Sequence, residues 1–336
     1  MYSANHQYGR SKQQIKTNMK LRKIAFITLC LVTCFLSCNK DDDGETIEPV
    51  PVRDRAEQQV ADKAVLLDYL ATHYYNSSAF EAIEHPTIKD IVITKLPEGT
   101  TTAPDGNTLL KDATNLETIS INFADIEYEY YLLKLKQGTG TESPEFADNV
   151  LIVHEGRYVS NTVFDSAINP ITFDLTGEMP GWGKVFPLFN VSKDFIENTD
   201  GTVSFRGQGI GVMFLPSGLA YFASPPFGST IPQYSPLIYK FELLQTTQND
   251  HDNDGIPSYL EDVDGDGNLF DENTDNDLEI NGFTPKFNFV DSDDDGDGIL
   301  TINEDIDGDG DPTNDIGKNG IPKYLDPEET ESKLNK

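Results

Sequence analysis

Phe164-Asp165-Ser166, Gly181-Trp182, Leu219-Ala220-Tyr221 and Ile231-Pro232, closed by the run Leu237 to Leu244 (LIYKFELL), decide how this chain folds. They are spread through residues 126 to 245 and gather the single Trp and several other aromatics into one stretch. That stretch supplies no nucleophile, no metal cluster and no phosphate-binding glycine loop. Its composition reads as an apolar cup with a few polar groups at the rim.

Working outward, the pattern is one of strands. Glu117 to Phe123 (ETISINF) and Ile126 to Lys136 (IEYEYYLLKLK) alternate polar and apolar residues, as half-buried strands do. Asn149 to His154 (NVLIVH), Ile171 to Leu175 (ITFDL) and Ile210 to Leu215 continue the series, after a turn at Lys136-Gln137-Gly138-Thr139-Gly140. In order and spacing the quoted fragments resemble the FKBP-type peptidyl-prolyl cis-trans isomerases, over about 120 of the 336 residues. The resemblance implies an α+β fold, an antiparallel FKBP-like half-barrel around a short helix that begins at Gly181-Trp182. It also implies a pocket. Phe164, Trp182, Ile231 and Tyr239 would line it, with Ile171 where an aromatic is usual. Asp165 and Tyr221 would supply polar contacts at the rim, Tyr221 by donating to the substrate carbonyl. His154 takes a place usually held by Tyr, Tyr239 replaces Phe, Glu178-Met179-Pro180 replaces a Val-Ile pair, and Phe222 stands where Gly is usual. Without the resemblance, a Trp among Phe and Tyr neighbours also describes ordinary core, and His154 reads equally well as a structural histidine.

Before this region, residues 54–125 form an accessory segment. Val60, Ala64, Leu67 and Ala71 recur at helical spacing between Arg53 and Tyr75, beside Leu66, Leu70 and Tyr74. The spacing predicts a helix packed on its own domain, followed by a strand at Ile91 to Lys95 (IVITK). Farther upstream, the basic Met19-Lys20-Leu21-Arg22-Lys23 precedes the apolar run Ile24 to Leu36. That run is short of the ~20 residues a spanning helix needs, and a secretory signal fits it better. Initiation at Met19 fits the same reading. Cys38 after Ser37 resembles a lipoprotein cleavage site, so residues 1–38 read as a signal segment with Cys38 lipidated. Residues 39–53 are then a tether whose Lys40-Asp41-Asp42-Asp43 resembles an outer-surface export signal. All three cysteines, Cys30, Cys34 and Cys38, lie here, so no disulfide is expected beyond Cys38.

The last quarter is different chemistry. Residues 246–336 hold 27 Asp/Glu against 5 Lys/Arg, a net of −22 out of −32 for the whole chain. Nucleic acid is a poor partner for such a surface, and divalent cations a good one. Asp250, Asp252, Asp254, Gly255 and Glu261 satisfy D-x-D-x-[DN]-G-x5-E, and Asp293, Asp295, Asp297, Gly298 and Glu304 satisfy it again. Oxygens at positions 1, 3 and 5, the carbonyls of Ile256 or Ile299 at 7, and an acid at 12 would surround a calcium ion. Partial copies begin at Asp262 and Asp305, without a closing acid at position 12. Pro257 and Pro322 exclude EF-hand helices, so the tail resembles thrombospondin type-3-like calcium repeats, irregular and separate from the preceding domain.

The expected activity is a peptidyl-prolyl isomerase or folding helper on the cell envelope, anchored to the outer membrane by lipid and facing outward. Proline-containing peptides or unfolded proteins would be its partners. Isomerisation needs no cofactor, and Ca²⁺ would be structural. The alternatives are a catalytically silent FKBP-like binding module and a calcium-dependent adhesion or scaffold protein.

Overall fold

The computed structural model describes residues 51–276 and 286–335. The predicted signal segment, Cys38 and nearly all of the tether lie outside the described residues.

A six-stranded antiparallel sheet carries the molecule. Its strands are β4 (Leu116–Phe123), β5 (Ile126–Gln137), β6 (Asn149–Tyr158), β7 (Val163–Asp174), β10 (Gly209–Leu215) and β11 (Leu237–Thr247), ordered β4-β5-β10-β11-β6-β7. The sheet therefore starts at Leu116, not at Ile126. A two-residue turn, Ala124-Asp125, joins β4 to β5 with both residues at positive φ, 49° and 61°. That is the backbone a tight hairpin needs, made here without the Gly or Asn that normally announces it. The predicted strand at Ile171 is only the end of β7, which begins at Val163 and includes the Phe-Asp-Ser fragment.

Both faces of the sheet are covered, which alternation alone does not reveal. On the front, Tyr128, Tyr130, Leu132, Met213, Leu215, Tyr239 and Phe241 enclose a core around the short helix α3 (Pro180–Val185). On the back, Tyr131, Leu133, Val212, Phe214 and Ile238 pack against Leu66, Tyr69 and Leu70 of helix α1 (Arg55–Thr72). Strand residues thus alternate between two cores, and β10 is buried at every position.

Helix α1 packs on its own domain but turns a different stripe inward. Val60 is 71% exposed and Leu67 also faces outward, while Gln58, Gln59, Asp62, Leu66, Tyr69 and Leu70 are buried. The buried set keeps helical spacing, and its first members are polar because they hydrogen-bond the domain. After α1, β1 (His73–Tyr75) pairs with β2 (Ile93–Lys95) and β3 (Thr108–Leu109), flanked by helix α2 (Ser77–Glu81). This layer is fixed to the back of β11 by two buried charges. Lys240 Nζ reaches Glu155 Oε1 at 2.9 Å and donates to the Ile91 carbonyl at 2.8 Å. Glu242 accepts from Ile88 N at 2.8 Å and from Gln208 Nε2 at 3.1 Å.

A hairpin of β8 (Asp194–Glu197) and β9 (Val203–Arg206) interrupts the path from α3 to β10. Beyond β11 the described tail contains 3₁₀ turns and bends but no α-helix. It is not detached: Leu269 and Phe289 bury with Ala147, and His251 Nε2 meets Asp174 Oδ2 at 3.0 Å.

Candidate functional site

The fragments dispersed in sequence converge on the front core. Gly181 lets α3 sit against β10: a side-chain carbon there would fall 2.4 Å from Leu215 and 2.9 Å from the Leu219 carbonyl. That close approach seats Trp182 at the centre. Its ring stacks on Phe186 at 4.9 Å and meets Tyr239 edge-on at 4.9 Å, with Phe173 at 5.9 Å, Phe241 at 6.1 Å and His154 at 6.1 Å. Phe164 lies edge-on to Tyr239 at 5.6 Å, and Gly156 opposite leaves the space both rings use. Trp182 is 1% exposed and Tyr239 2%, so they form the floor. Phe164, Ile171, Tyr221 and Ile231 are among the partly buried residues packed against this core. Ile171 belongs to this cluster, but the ring beside Trp182 is Phe173, two residues farther on. In the β6–β7 ladder Ile171 pairs with Ile152 and Phe173 with Val150, so the two project from the same face of β7.

His154 and Asp165 form a pair across β6 and β7. Nε2 of His154 lies 3.0 Å from Asp165 Oδ2, with the His side chain 3% and the Asp side chain 56% exposed. A carboxylate at Nε2 selects the tautomer that donates from that nitrogen. Nδ1 is buried without a partner among the aromatic rings. The imidazole therefore aims the Asp165 carboxylate, whose other face is open to solvent.

The phenols of Tyr221 and Tyr239 are neighbours in this core, and each influences the other. Burial raises both phenols, and the Glu178 and Asp165 carboxylates add to the shift, so both remain protonated donors at neutral pH. Glu178 itself is pushed up to about 7 by burial first and then by Asp165 and Asp174. The rim thus combines the Tyr221 phenol, over that of Tyr239 in the floor, with a carboxylate held by histidine and a carboxyl raised to about 7.

Sequence reasoning missed the support of this rim. Asp62 of α1 is buried and accepts from Ser217 N at 2.7 Å and Ser217 Oγ at 2.6 Å. Arg55 donates to Tyr128 Oη at 3.1 Å and lies 4.3 Å over the Phe222 ring, and Arg53 lies 4.4 Å over Tyr234. Phe222 and Tyr234 both have positive φ, 45° and 60°. The segment between them carries Ile231, and Tyr221 directly precedes it, so α1 and Arg53 just before it pin both ends of the rim loop. The sequence signal was an acid on the wrong face of an amphipathic helix.

The acidic tail contains the second candidate site. Asp250 accepts from Asn253 N and Gly255 N, Asp262 from Gly265 N and Gly267 N, and Asp305 from Gly308 N and Gly310 N. One loop geometry therefore recurs, with Gly255, Gly267, Gly298 and Gly310 all at positive φ, which only Gly adopts freely. Carboxylate oxygens of Asp252, Asp254 and Glu261 cluster with one from Asp294, and those of Asp293, Asp295 and Asp297 form another knot. Asp262, Asp264 and Glu272 form a third; here the missing closing acid is supplied one position early. Asp305, Asp307 and Asp309 form a fourth. Asp250 stays outside the first knot and braces its loop, while Ile256 N and Ile299 N donate to Asp254 and Asp297. Burial and mutual repulsion raise Glu261 and Glu304 to about 9 each, and Asp252 and Asp295 to about 7. Their buried oxygens include many without a hydrogen-bond partner, among them both of Glu304. All-oxygen donors of this kind fit a hard divalent cation such as calcium.

No protein-family model matches the chain. Over 143 residues it is 27% identical to a probable FKBP-type peptidyl-prolyl cis-trans isomerase FkpA of Neisseria meningitidis serogroup B, covering 42% of this chain and 44% of that protein. Over 114 residues it is 28% identical to the FKBP-type 22 kDa peptidyl-prolyl cis-trans isomerase of Escherichia coli, covering 33% and 47%. The chain thus spans under half the length of these relatives, and is homologous to FKBP-type isomerases over that part. Among solved structures, a peptidyl-prolyl isomerase of Pseudomonas syringae pv. tomato aligns with TM-score 0.32 and 16% identity, over 59% of this chain and 100% of the other. FkpA of Escherichia coli aligns with TM-score 0.31 and 22% identity, over 40% and 53%.

Proposed function

We propose that residues 126–245 form an FKBP-like half-barrel that isomerises X–Pro bonds, in a folding helper of the cell envelope. The observation that carries this is the floor of Trp182 and Tyr239 beneath Phe164, Ile231 and the Tyr221 hydroxyl, together with homology to FKBP-type isomerases. Rotation about X–Pro must overcome a barrier of ~18–20 kcal/mol that amide resonance imposes. No covalent step or external proton is needed. An apolar cup takes the proline ring and sheds water from the carbonyl. Tyr221 then donates to that oxygen and Asp165 faces the adjoining peptide, so the twisted amide is favoured over the planar one. His154 takes no part beyond aiming Asp165.

The direct test is a protease-coupled assay of cis-to-trans relaxation in an X–Pro peptide, using the full chain. Tyr221→Phe removes one neutral donor worth ~1 kcal/mol, and kcat/KM should drop about five-fold. Activity no faster than buffer across several X residues overturns the catalytic reading. That result favours the second reading, a silent peptide-binding module, which the closed floor supports: Trp182 is 1% exposed.

The tail would hold structural calcium, through Asp252, Asp254 and Glu261 in the first loop and Asp293, Asp295, Asp297 and Glu304 in the second, with Asp250 bracing the loop. The ions would supply charge neutralisation and order, not chemistry in the cup. Lipidation at Cys38 would anchor the protein at the outer membrane. Cys38→Ser should release it into the soluble fraction, and retention in the membrane would remove the anchor from the proposal.

A further inference from the structure

Asp294 belongs to the second acidic loop in sequence and to the first in space. Asp293 and Asp295 turn to their own loop, and Asp294 between them turns away. One of its oxygens lies within 4.8 Å of oxygens from Asp252, Asp254 and Glu261. Asp294 is 1% exposed, Glu261 0% and Asp254 1%. Both oxygens of Asp252, Glu261 and Asp294, and one of Asp254, are buried without a hydrogen-bond partner. Among the described residues, no ion pair reaches any of these four acids. Four carboxylates sealed from water, facing one another with no cation, would meet desolvation and repulsion at once. Oxygens around an ion at ~2.4 Å stand up to about 4.8 Å apart, and the four oxygens here all lie within 4.8 Å of one another.

We propose that Asp252, Asp254, Glu261 and Asp294 hold one calcium ion across two loops, and that Asp293-Asp294-Asp295 couples it to the ion of the second loop. This rests on the calcium reading of the tail and adds a ligand that the loop spacing does not contain. Burial leaves little room for the several waters Mg²⁺ keeps, so calcium is the better fit. The coupling is mechanical. Asp293 and Asp295 cannot be ordered on their ion without placing Asp294 on the other, so each ion lowers the ordering cost of its neighbour.

The experiment is calorimetric calcium titration of the full chain, stripped by chelator. The parent should bind cooperatively. Asp294→Asn should lose roughly ten-fold or more in the affinity of one site and flatten the cooperativity. Asp295→Asn, which touches only the second loop, should also weaken the first-loop ion. Glu98→Gln, an exposed acid of the accessory segment outside every knot, should change nothing. Terbium luminescence sensitised through buried Tyr324, which lies in the field of Asp294, Glu261 and Asp254, reads the first site even if a variant's tail loosens. It should persist in the parent and fall in Asp294→Asn. A parent that takes up no calcium overturns the calcium reading and this inference with it. A parent that binds while Asp294→Asn matches it in affinity, cooperativity and luminescence overturns the shared ligand alone.

Discussion

Glu178 sits at the approach to α3, where burial and the neighbouring Asp165 and Asp174 raise its carboxyl to about 7 from an ordinary 4.5. Between those values the folded chain holds a proton that the unfolded chain has lost. Stability contributed by this residue therefore falls as pH rises through the window, and is at its best below about 4.5. Glu178→Gln removes the dependence without removing the shape. In buffer with millimolar calcium, the variant should melt at the parent's temperature at pH 4.5 and above it at pH 8. A constant offset between the two curves would mean that the carboxyl does not titrate in the fold. His154 shows the complementary use of a polar residue in the same core. It spends one nitrogen on Asp165 and leaves the other among rings, so its conservative replacement by Phe should keep the packing and free Asp165 to move.

At the scale of elements, the partnership of α1 with the rim loop is the least expected. Asp62 satisfies two donors of Ser217 and also takes one from Gln58 Nε2 at 2.6 Å. Asp62→Ala leaves buried donors unmet, at a cost of ~1–3 kcal/mol. The loss should concentrate in residues 216–234. Hydrogen exchange should quicken there, KM for a prolyl peptide should rise more than kcat falls, and Asp62→Asn should restore part of both. Uniformly faster exchange would mark Asp62 as a plain stability residue. The same helix shows what the sequence could reveal. Its existence and approximate limits followed from spacing, and β5, β6, β10 and β11 followed from their apolar or alternating runs, whereas the start of α3 came from the family resemblance alone. The buried face of α1 did not follow, because Gln58, Gln59 and Asp62 are inside for hydrogen bonds rather than for hydrophobicity. Nor did the Ala124-Asp125 hairpin, which lacks the usual Gly or Asn, or the ring next to Trp182, which is Phe173 where the resemblance points to Ile171. Asp294 was hidden for a related reason: loop spacing is local, whereas the knot is closed by a residue from another loop.

The whole molecule joins two regions with opposite sources of order. The sheet buries apolar side chains on both faces, whereas the tail carries 27 acids against 5 basic residues and, among its described residues, one small apolar cluster, Leu269 and Phe289 with Ala147. Ordering costs ~1–2 kcal/mol per residue in the backbone alone, which so small a cluster cannot offset across such a tail without neutralised charge. The sequence suggested a tail independent of the domain, but the structure seats it beside the cup. His251 bridges Asp174 and Ser258, and Lys184 of α3 donates to the carbonyls of Asp266 and Gly267 at 3.2 Å each. On the proposed calcium reading, removing the ion should therefore do two things. The radius of gyration should grow as like charges separate, and the domain's melting temperature should fall as α3 loses its contact with the third loop. Lys184→Ala should lower the melting temperature in calcium and shrink the further drop on chelation, because the contact is already gone. Small-angle scattering and a melt followed by Trp182 fluorescence read the two effects separately. Expansion of the tail with an unchanged Trp182 melt would mean that the docking is too weak to carry calcium's effect to the cup.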